Sequence, residues 1–260
     1  MDLHLRDHVI LVTGGAKGIG EAICRTLAAE GAIPVIVGRN QADNERVVAH
    51  VAKSGGQAWA VQAELTRTEE CHRAVKETIA QFGRINGLVN NAGINDGVNL
   101  EHGDTEKFLA SLRKSLVHYY EMAHFALPEL KKSRGAIVNI GSKVAETGQG
   151  GTSAYAAANG GRNALTREWA VELSKYGIRV NAVIVAECWT PMYATWLSSQ
   201  PDPAAARAEI EARIPLGRRM TTGEEIAHMA AFLLSDRSSH TTGQLIHVDG
   251  GYVHLDRAIG

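Results

Sequence analysis

The chain has 260 residues, and its 27 Lys and Arg residues nearly balance 28 Asp and Glu residues, which argues against a nucleic-acid partner. No apolar run approaches the roughly 20 residues of a membrane helix, and no basic N-terminal stretch leads into an apolar core, so we expect neither a membrane span nor a signal peptide. Three scattered cysteines without CxxC spacing argue against a zinc site or a disulfide framework, and we expect a cytoplasmic, single-domain protein over residues 1–260 that holds no metal.

Strand-like and helix-like patterns alternate along the whole chain. The predicted strands cover 8–12, 33–38, 57–61, a segment closing at 88–89, 136–140, 179–185 and 244–248, and the predicted helices cover about 21–29, 43–53, 66–82, 105–132, 152–176 and 223–235. This alternation predicts an α/β fold in which helices cover both faces of a parallel sheet. Ligands of such sheets bind at the carboxyl ends of the strands, so the loops after Val12, Val37, Val89, Ile140 and Val185 should surround one crevice.

A segment at about 187–215 breaks the alternation and carries Pro191, Pro201 and Pro203. Insertions at the carboxyl edge of a sheet commonly cover substrates, so we interpret this segment as a mobile lid. The alternative is an ordinary long loop.

Residues 13–20 form a glycine-rich turn between the first strand and the first helix. Glycines allow a sharp turn and let a phosphate approach the backbone, and the N-terminus of the following helix offers unpaired N–H groups to that phosphate. Local turns also recruit glycine for their own geometry. The order of strand, glycine turn and helix nevertheless favours dinucleotide binding.

Three further features follow the glycine turn: Asn90-Asn91-Ala92-Gly93, Ser142, and Tyr155 thirteen residues after that serine. Together with the turn they resemble the short-chain dehydrogenase/reductase family over essentially the whole chain. The resemblance implies a doubly wound, Rossmann-type sheet of seven parallel strands that binds a nicotinamide dinucleotide. Within the family, the chain is similar to bacterial L-fucose dehydrogenases in the runs 92–97, 147–153, 165–171, 215–219, 240–243 and 249–257.

The resemblance implies that residues at the strand ends hold the cofactor. They are Gly14, Lys17, Gly18, Ile19, Gly20, Arg39, Glu64, Leu65, Asn91, Ala92, Gly93, Tyr155, Asn159 and Thr190. A carboxylate at the end of the second strand would bind the ribose hydroxyls of NAD, but this position reads Gly38-Arg39-Asn40. Arg39 and Lys17 are placed to pair with the 2′-phosphate of NADP, so we expect NADP, with NAD as the alternative. The alternative is that Arg39 and Lys17 are ordinary solvated cations on the surface.

In the family, a tyrosine is the general acid/base and a serine binds the substrate oxygen, and these roles fall to Tyr155 and Ser142. A family lysine four residues after the tyrosine lowers the tyrosine pKa and binds the nicotinamide ribose, but this chain has Asn159 there. A family asparagine on the long helix helps to hold a proton-relay water, but this chain has Ser115. Val185-Ala186 stands where the family usually has Pro-Gly. The predicted catalytic residues are therefore Ser142, Tyr155, Asn159 and Ser115, and the last two differ from the family pattern.

The two altered positions weaken the predicted chemistry more than the fold. An unassisted tyrosine has a pKa of about 10, so only about a thousandth of it is ionised at pH 7. Losing a few pKa units of assistance corresponds to about 3–4 kcal/mol of activation free energy. Arg162 lies roughly 10 Å along the helix from Tyr155, and Lys143 should point away from Ser142 if the strand continues. Neither is a convincing substitute for the lysine.

Polar and aromatic residues lie on loops expected to face the crevice. The substrate candidates are Asn95, Gln149, Glu187, Tyr193 and Trp196. Their mixture of amide, carboxylate and aromatic groups suits a polyhydroxylated ring better than a steroid or an acyl chain, although each residue alone also fits an ordinary loop side chain. The resemblance implies oxidation of the anomeric hydroxyl of L-fucose or a related aldose to the lactone. The rival hypothesis is a cofactor-binding homologue or variant whose turnover is impaired at Asn159 and Ser115.

The resemblance also implies a homotetramer or homodimer packed through the long helices at about 105–132 and 152–176. Gly160-Gly161 would permit close helix contact there or within one subunit. His118, His124, His228 and His254 show no convincing metal-ligand spacing. We interpret His118 and Tyr119 as packing or subunit-contact residues.

Overall fold

Seven parallel strands form one sheet in the computed structural model, which describes residues 1–255. They are β1 (Val9–Thr13), β2 (Ile33–Gly38), β3 (Trp59–Gln62), β4 (Gly87–Asn90), β5 (Ala136–Ser142), β6 (Arg179–Val185) and β7 (Leu245–Val248). Their order is β3-β2-β1-β4-β5-β6-β7, so the direction of winding reverses between β1 and β4. This order confirms the predicted doubly wound, Rossmann-type α/β fold, and it places the ligand crevice at the β1/β4 switch point.

Helices alternate with the strands and cover both faces of the sheet. They are α1 (Gly18–Ala29), α2 (Gln41–Lys53), α3 (Thr68–Phe82), α4 (Thr105–Leu112), α5 (His118–Ser133), α6 (Ser153–Ser174), α7 (Pro191–Ser198), α8 (Pro203–Ala212) and α9 (Gly223–Leu234). A π-helical turn at Arg113–Val117 joins α4 to α5, so the predicted helix over 105–132 is irregular at its centre. A 3₁₀ turn at Lys143–Ala145 follows β5 directly.

The core lies in two layers because successive strand residues point to opposite faces. Ile10 and Val12 pack with α1, α2 and α9, whereas Val9 and Leu11 pack with α3, α5 and α6. All of these strand residues are buried, as expected for a parallel sheet covered on both faces. Full burial of each large apolar side chain contributes roughly 1.5–3 kcal/mol to the free energy of folding. This packing holds the strands, and therefore the strand ends that carry the site, in place.

The predicted lid segment contains two short helices. Pro191 and Pro203 each stand at the start of a helix, where a missing N–H leaves no hydrogen bond unmade, and Thr190 and Asp202 cap the two helices. Among residues 1–255 no helix combines the length and apolar character that a bilayer span requires.

The two glycines of α6 differ in their surroundings. A Cβ on Gly161 would lie 2.7 Å from Leu116 Cδ2 on the π-helical turn, whereas a Cβ on Gly160 would meet nothing within 4 Å. Gly161 therefore permits packing within the subunit, and Gly160 lies beside open space.

Candidate active site

Hydrogen bonds between neighbouring strand ends hold the turn after β1. Thr13 Oγ1 accepts hydrogen bonds from Asn91 N at 2.8 Å and from Ala92 N at 3.1 Å. The side-chain Nδ2 of Asn91 donates to Thr13 O at 2.9 Å. Gly14 has a φ of +63°, and a Cβ on Gly20 would lie 2.2 Å from the Gly14 carbonyl oxygen. Only glycines allow this turn to pack against the start of α1. The cradle fits a pyrophosphate at the helix N-terminus.

The outer corner of this cradle contains both predicted phosphate-binding cations. Lys17 Nζ lies 2.7 Å from Asp43 Oδ2 in the first turn of α2. The exposed Arg39 side chain makes no hydrogen bond or ion pair with any group in the described range 1–255. Asp43 could not be found from Gly38 to Asn40, because its carboxylate reaches this corner from the first turn of α2. Within residues 1–255, Lys17 is therefore already paired, whereas the Arg39 guanidinium has no partner.

Other predicted cofactor residues complete this side of the crevice. Glu64 Oε1 accepts hydrogen bonds from Thr66 N at 3.1 Å and Thr66 Oγ1 at 2.9 Å, and Leu65 is buried. Thr190 Cβ lies 3.4 Å from the position that a Cβ on Gly18 would take. Thr190 therefore brings the start of α7 against the glycine turn, as a cofactor contact requires.

The predicted serine and tyrosine lie at the end of β5 and in the first turn of α6. Ser142 Oγ accepts a hydrogen bond from Val144 N at 3.5 Å, and its O–H remains available to donate. Tyr155 is half-buried, and its hydroxyl has no hydrogen-bond partner within residues 1–255. The two hydroxyl groups can therefore engage a ligand oxygen without breaking a strong internal bond.

A buried guanidinium takes part in the site where the family has lysine and asparagine. Arg162 is 3% exposed, and its Nη1 donates to Asn159 Oδ1 at 3.0 Å and to Ile140 O at 3.1 Å. Its Nε donates at 2.8 Å to the Ser115 carbonyl, which belongs to the π-helical turn. Asn159 Nδ2 donates to Tyr155 O at 2.9 Å. Arg162 therefore bonds directly to Asn159, the residue at the family lysine position, and no direct bond from Arg162 to the Tyr155 hydroxyl is present within residues 1–255.

The Ser115 side chain lies on the far side of this arrangement. Its hydroxyl donates to Ile94 O at 3.1 Å and accepts from Ile94 N at 3.3 Å, and the residue is fully buried. Arg162 Nη2 also lies under the same loop, 2.5 Å from the position that a Cβ on Gly93 would take. The Ser115 hydroxyl therefore positions the loop after β4. The Ser115 carbonyl oxygen accepts hydrogen bonds from the Arg162 guanidinium.

Tyr119 and His118 are packing residues rather than subunit contacts, since both are buried. Tyr119 Oη donates to Ile140 O at 3.0 Å, and its ring centroid lies 4.3 Å from Arg162 Cζ. Burial raises the Tyr119 pKa above its usual value, while the Arg162 charge lowers it and the Tyr155 phenol raises it. Burial, followed by the Arg162 charge, lowers the His118 pKa to about 3, so His118 is neutral near pH 7.

A second group of side chains, the substrate-side cluster, comprises Lys143, Glu187, Tyr193, Trp196 and Tyr252. The buried Lys143 ammonium pairs with Glu187, and Tyr193 Oη donates to Glu187 Oε2 at 2.8 Å. Lys143 Nζ lies 4.1 Å from the Tyr252 ring centroid, and the Tyr193 and Trp196 rings meet edge to face at 5.3 Å. Burial and the Glu187 carboxylate raise the Tyr193 pKa. Because β5 ends at Ser142, the strand alternation used to place Lys143 does not apply.

The remaining predicted residues lie outside these groups. Ile19, in the first turn of α1, is partly buried against the core. Asn95 and Gln149 are exposed on loops, and Asn95 Oδ1 accepts a hydrogen bond from Gly97 N at 3.3 Å. The structure therefore brings Glu187, Tyr193 and Trp196 together, whereas neither Asn95 nor Gln149 makes a hydrogen bond or ion pair with them within residues 1–255.

Comparison with known proteins places this geometry in a family. The sequence model of the family described as enoyl-(acyl carrier protein) reductase matches residues 14–253. L-fucose dehydrogenase of Bos taurus is 35% identical over 253 residues, which cover 97% of this chain and 92% of that protein. A 3-oxoacyl-(acyl-carrier-protein) reductase of Thermotoga maritima is 36% identical over 253 residues, covering 96% and 100%. The crystal structure of Cj0485 dehydrogenase is 44% identical with a TM-score of 0.95, covering 100% of this chain and 99% of that one. The chain therefore belongs to the short-chain dehydrogenase/reductase family of NAD(P)-dependent oxidoreductases.

Proposed function

We propose that this oxidoreductase oxidises the anomeric hydroxyl of L-fucose or a stereochemically related aldose to the lactone, with NADP favoured over NAD. Similarity to L-fucose dehydrogenase supports this choice. An acyl carrier protein reductase is similar to the same extent, so the substrate has to be argued from the site. The observation that carries the proposal is the substrate-side cluster beside Ser142.

The cluster offers several polar groups and an aromatic surface at one place. Glu187 can accept hydrogen bonds, Tyr193 can donate and accept them, and Lys143 can donate them. A sugar presents hydroxyls that do both, together with a C–H face that packs on a ring such as that of Trp196. An acyl chain would desolvate the buried Lys143–Glu187 pair without replacing its hydrogen bonds, which is costly. The cluster therefore favours a polyhydroxylated substrate.

The catalytic hydroxyls divide the chemistry between them. The bound oxidised cofactor supplies the hydride acceptor. Ser142 Oγ donates a hydrogen bond to the anomeric oxygen and holds it in place. Tyr155 in its ionised, phenolate form takes the hydroxyl proton and becomes the neutral phenol as the hydride leaves the anomeric carbon. Its oxygen has no competing hydrogen-bond partner within residues 1–255.

Arg162 is assigned as a positioning residue for this chemistry. Its guanidinium fixes the orientation of Asn159 one helical turn from Tyr155. A buried guanidinium thus contacts both altered positions, Asn159 and Ser115. This arrangement favours an enzyme that turns over its substrate, rather than a homologue that only binds the cofactor.

The preference for NADP rests on Arg39. Its guanidinium, which has no partner among residues 1–255, lies just after β2 and can pair bidentately with a 2′-phosphate. Asp43 opposes this preference because it neutralises Lys17 and places a negative charge nearby. We therefore expect a modest preference that still allows turnover with NAD.

A homodimer or homotetramer is part of the proposal. Large apolar side chains are exposed on the helices expected to form the interface, namely Leu109 on α4, Tyr120 on α5 and Val171 on α6. Light scattering on the purified protein tests this assignment, and a monomer at micromolar concentration would contradict it.

Steady-state formation of NADPH and NADH with L-fucose, D-arabinose and an unrelated alcohol tests the activity. Tyr155→Phe should lower kcat by roughly 10²–10⁴-fold while cofactor binding is unchanged. Tyr120→Phe, which keeps the aromatic ring on the exposed side of α5, is the matched control and should be neutral.

Lys143→Met should raise KM for the sugar and leave cofactor binding intact. Equal rates with the unrelated alcohol would remove the sugar assignment, and cofactor binding without any turnover would establish the rival.

A further inference from the structure

Two histidines and a carboxylate converge beside the active-site loop, outside the residues used above. Glu146 Oε2 lies 3.1 Å from His247 Nε2 and 3.8 Å from His254 Nε2. The potential ligand atoms of the three residues all lie within 4.8 Å of one another. The two imidazole rings meet edge to face with centroids 4.3 Å apart, so their nitrogens approach the same carboxylate from different directions.

We propose that Glu146, His247 and His254 bind a divalent transition metal, with Zn²⁺ as the ion that suits them. Imidazole nitrogen and carboxylate oxygen bind zinc at about 2.0–2.2 Å, so two ligands of one tetrahedral ion lie roughly 3.4 Å apart. The separations of 3.1 and 3.8 Å bracket that value. Three protein ligands leave a fourth position for water.

Asn163 orients the Glu146 carboxylate from behind. The residue is 7% exposed, and its Nδ2 donates to Glu146 Oε1 at 3.4 Å, which leaves Oε2 for the two histidines. Its own Oδ1 faces Gly141 instead, 3.3 Å from the position that a Cβ there would take, and has no hydrogen-bond partner among residues 1–255. Outer-shell bonds of this kind orient carboxylate ligands in metal sites.

The spacing of these ligands along the chain explains why sequence reasoning excluded a metal. Glu146 follows the 3₁₀ turn after β5, His247 lies on β7, and His254 lies beyond it, so the first two are 101 residues apart. Short-range ligand motifs do not describe a site of this kind. The pairing of β5 with β6 and of β6 with β7 brings these distant positions to the same edge of the sheet.

A metal at this position would tie the segment after β7 to the loop that follows Ser142. The same segment contains Tyr252, whose ring centroid lies 4.1 Å from Lys143 Nζ. The ion would therefore hold one wall of the substrate-side cluster in place. Its effect is structural, and it can be measured without any substrate.

The test uses untagged full-length protein that has been freed of metal with a chelator, then titrated with Zn²⁺ by calorimetry. We expect one Zn²⁺ per chain and a rise in thermal midpoint. His247→Ala and His254→Ala should each weaken binding by more than tenfold and abolish the rise. Asn163→Ala should weaken binding by roughly 10-fold.

His102→Ala is the matched control, because the His102 ring lies 3.8 Å from Glu101 on an exposed loop and, within residues 1–255, no third His, Cys, Asp or Glu ligand joins them. It should leave Zn²⁺ binding unchanged. His254 is well exposed, so its replacement is not expected to disturb folding. Absence of saturable binding, or equal affinity in the wild type and the His254→Ala protein, would overturn the metal site and leave a simple hydrogen-bonded pair.

Discussion

The nucleotide corner and the catalytic helix are stabilised in different ways. At the corner, Thr13 and Asn91 bond mainly to backbone groups of adjacent strands, and glycines remove side chains that would clash. On α6, Arg162 joins Asn159 to the Ser115 carbonyl on the π-helical turn through a buried charge. The first arrangement depends on backbone space, whereas the second depends on side chains distant in sequence. Mutations should therefore damage the two regions in different ways.

The largest effect is expected from filling the space at the nucleotide corner. Gly20→Ala places a Cβ 2.2 Å from the Gly14 carbonyl oxygen and 2.6 Å from Asn91 Nδ2. The turn must move, which should cost about 1–3 kcal/mol of unfolding free energy and weaken cofactor binding by roughly 100-fold. Fluorescence titration with NADPH and thermal unfolding measure the two effects.

Gly160→Ala is the matched control for that substitution. A Cβ there meets nothing within 4 Å, and alanine favours a helix over glycine by roughly 0.5–1 kcal/mol. The control should bind cofactor normally and be slightly more stable. Normal NADPH affinity in Gly20→Ala would show that the corner does not depend on backbone space.

The next effect tests the buried charge on α6. Asn159→Lys would place an ammonium beside the Arg162 guanidinium, 3.0 Å from the present Oδ1, and two like charges in a buried site repel strongly. We expect a loss of about 3 kcal/mol of unfolding free energy. The double variant Asn159→Lys with Arg162→Leu should recover much of it, as urea unfolding in a double-mutant cycle would measure.

Asn159→Asp supplies the opposite sign of charge at the same position. Its carboxylate can accept the Arg162 hydrogen bond, so its stability should stay near that of the wild type at pH 7. A fully stable Asn159→Lys protein with normal turnover would contradict the assignment of Arg162 as the fixed charge of this region.

The nucleotide corner could be predicted from sequence because its determinants are local. Glycine spacing after an apolar strand specifies the turn, and the alternation of strands and helices predicts a parallel sheet. The doubly wound strand order comes from the family resemblance. The Arg162 arrangement could not be predicted in this way. It depends on a π-helical turn at Arg113–Val117 that frees the Ser115 carbonyl, and such a turn has no simple sequence signature.

Two other contacts escaped prediction for a similar physical reason. Lys143 pairs with Glu187 because β5 ends at Ser142 and a 3₁₀ turn redirects the chain. Asp43 reaches Lys17 because Asn40 caps α2 and turns its first residues toward the phosphate cradle. In both cases the exact end of an element decides the contact, and element ends are the least predictable part of a sequence.

Acid should distinguish the buried catalytic side from the exposed nucleotide corner. The His118 pKa is lowered from 6.5 to about 3 by burial, so the unfolded chain binds a proton between these values and the folded protein does not. Stability contributed by neutral His118 is therefore lost as pH falls below about 6.5. At pH 4.5 the loss should be about 2–3 kcal/mol.

Urea unfolding at pH 7 and pH 4.5 measures this loss. His118→Gln can keep a donor to Lys114 O but cannot titrate, so it should lose about 2–3 kcal/mol less than the wild type over this range. His240→Gln removes an exposed histidine and should leave the difference unchanged. Equal losses in the wild type and His118→Gln would show that His118 is protonated in the folded protein.

The smallest expected effect concerns the exposed charges at the nucleotide corner. Asp43→Asn frees Lys17 and removes a negative charge near the 2′-phosphate position, which should raise the ratio of kcat/KM for NADP over NAD. Because Lys17 is 62% exposed, solvent and salt screen the pair, and a change of about 0.5–1 kcal/mol, or roughly twofold to fivefold, is expected. Glu45→Gln on the same helix is the control, since Glu45 bonds Gln41 instead of Lys17. The Asp43→Asn effect should shrink at high salt, whereas an effect that is salt-independent would mean that Asp43 acts through the shape of the corner and not through its charge.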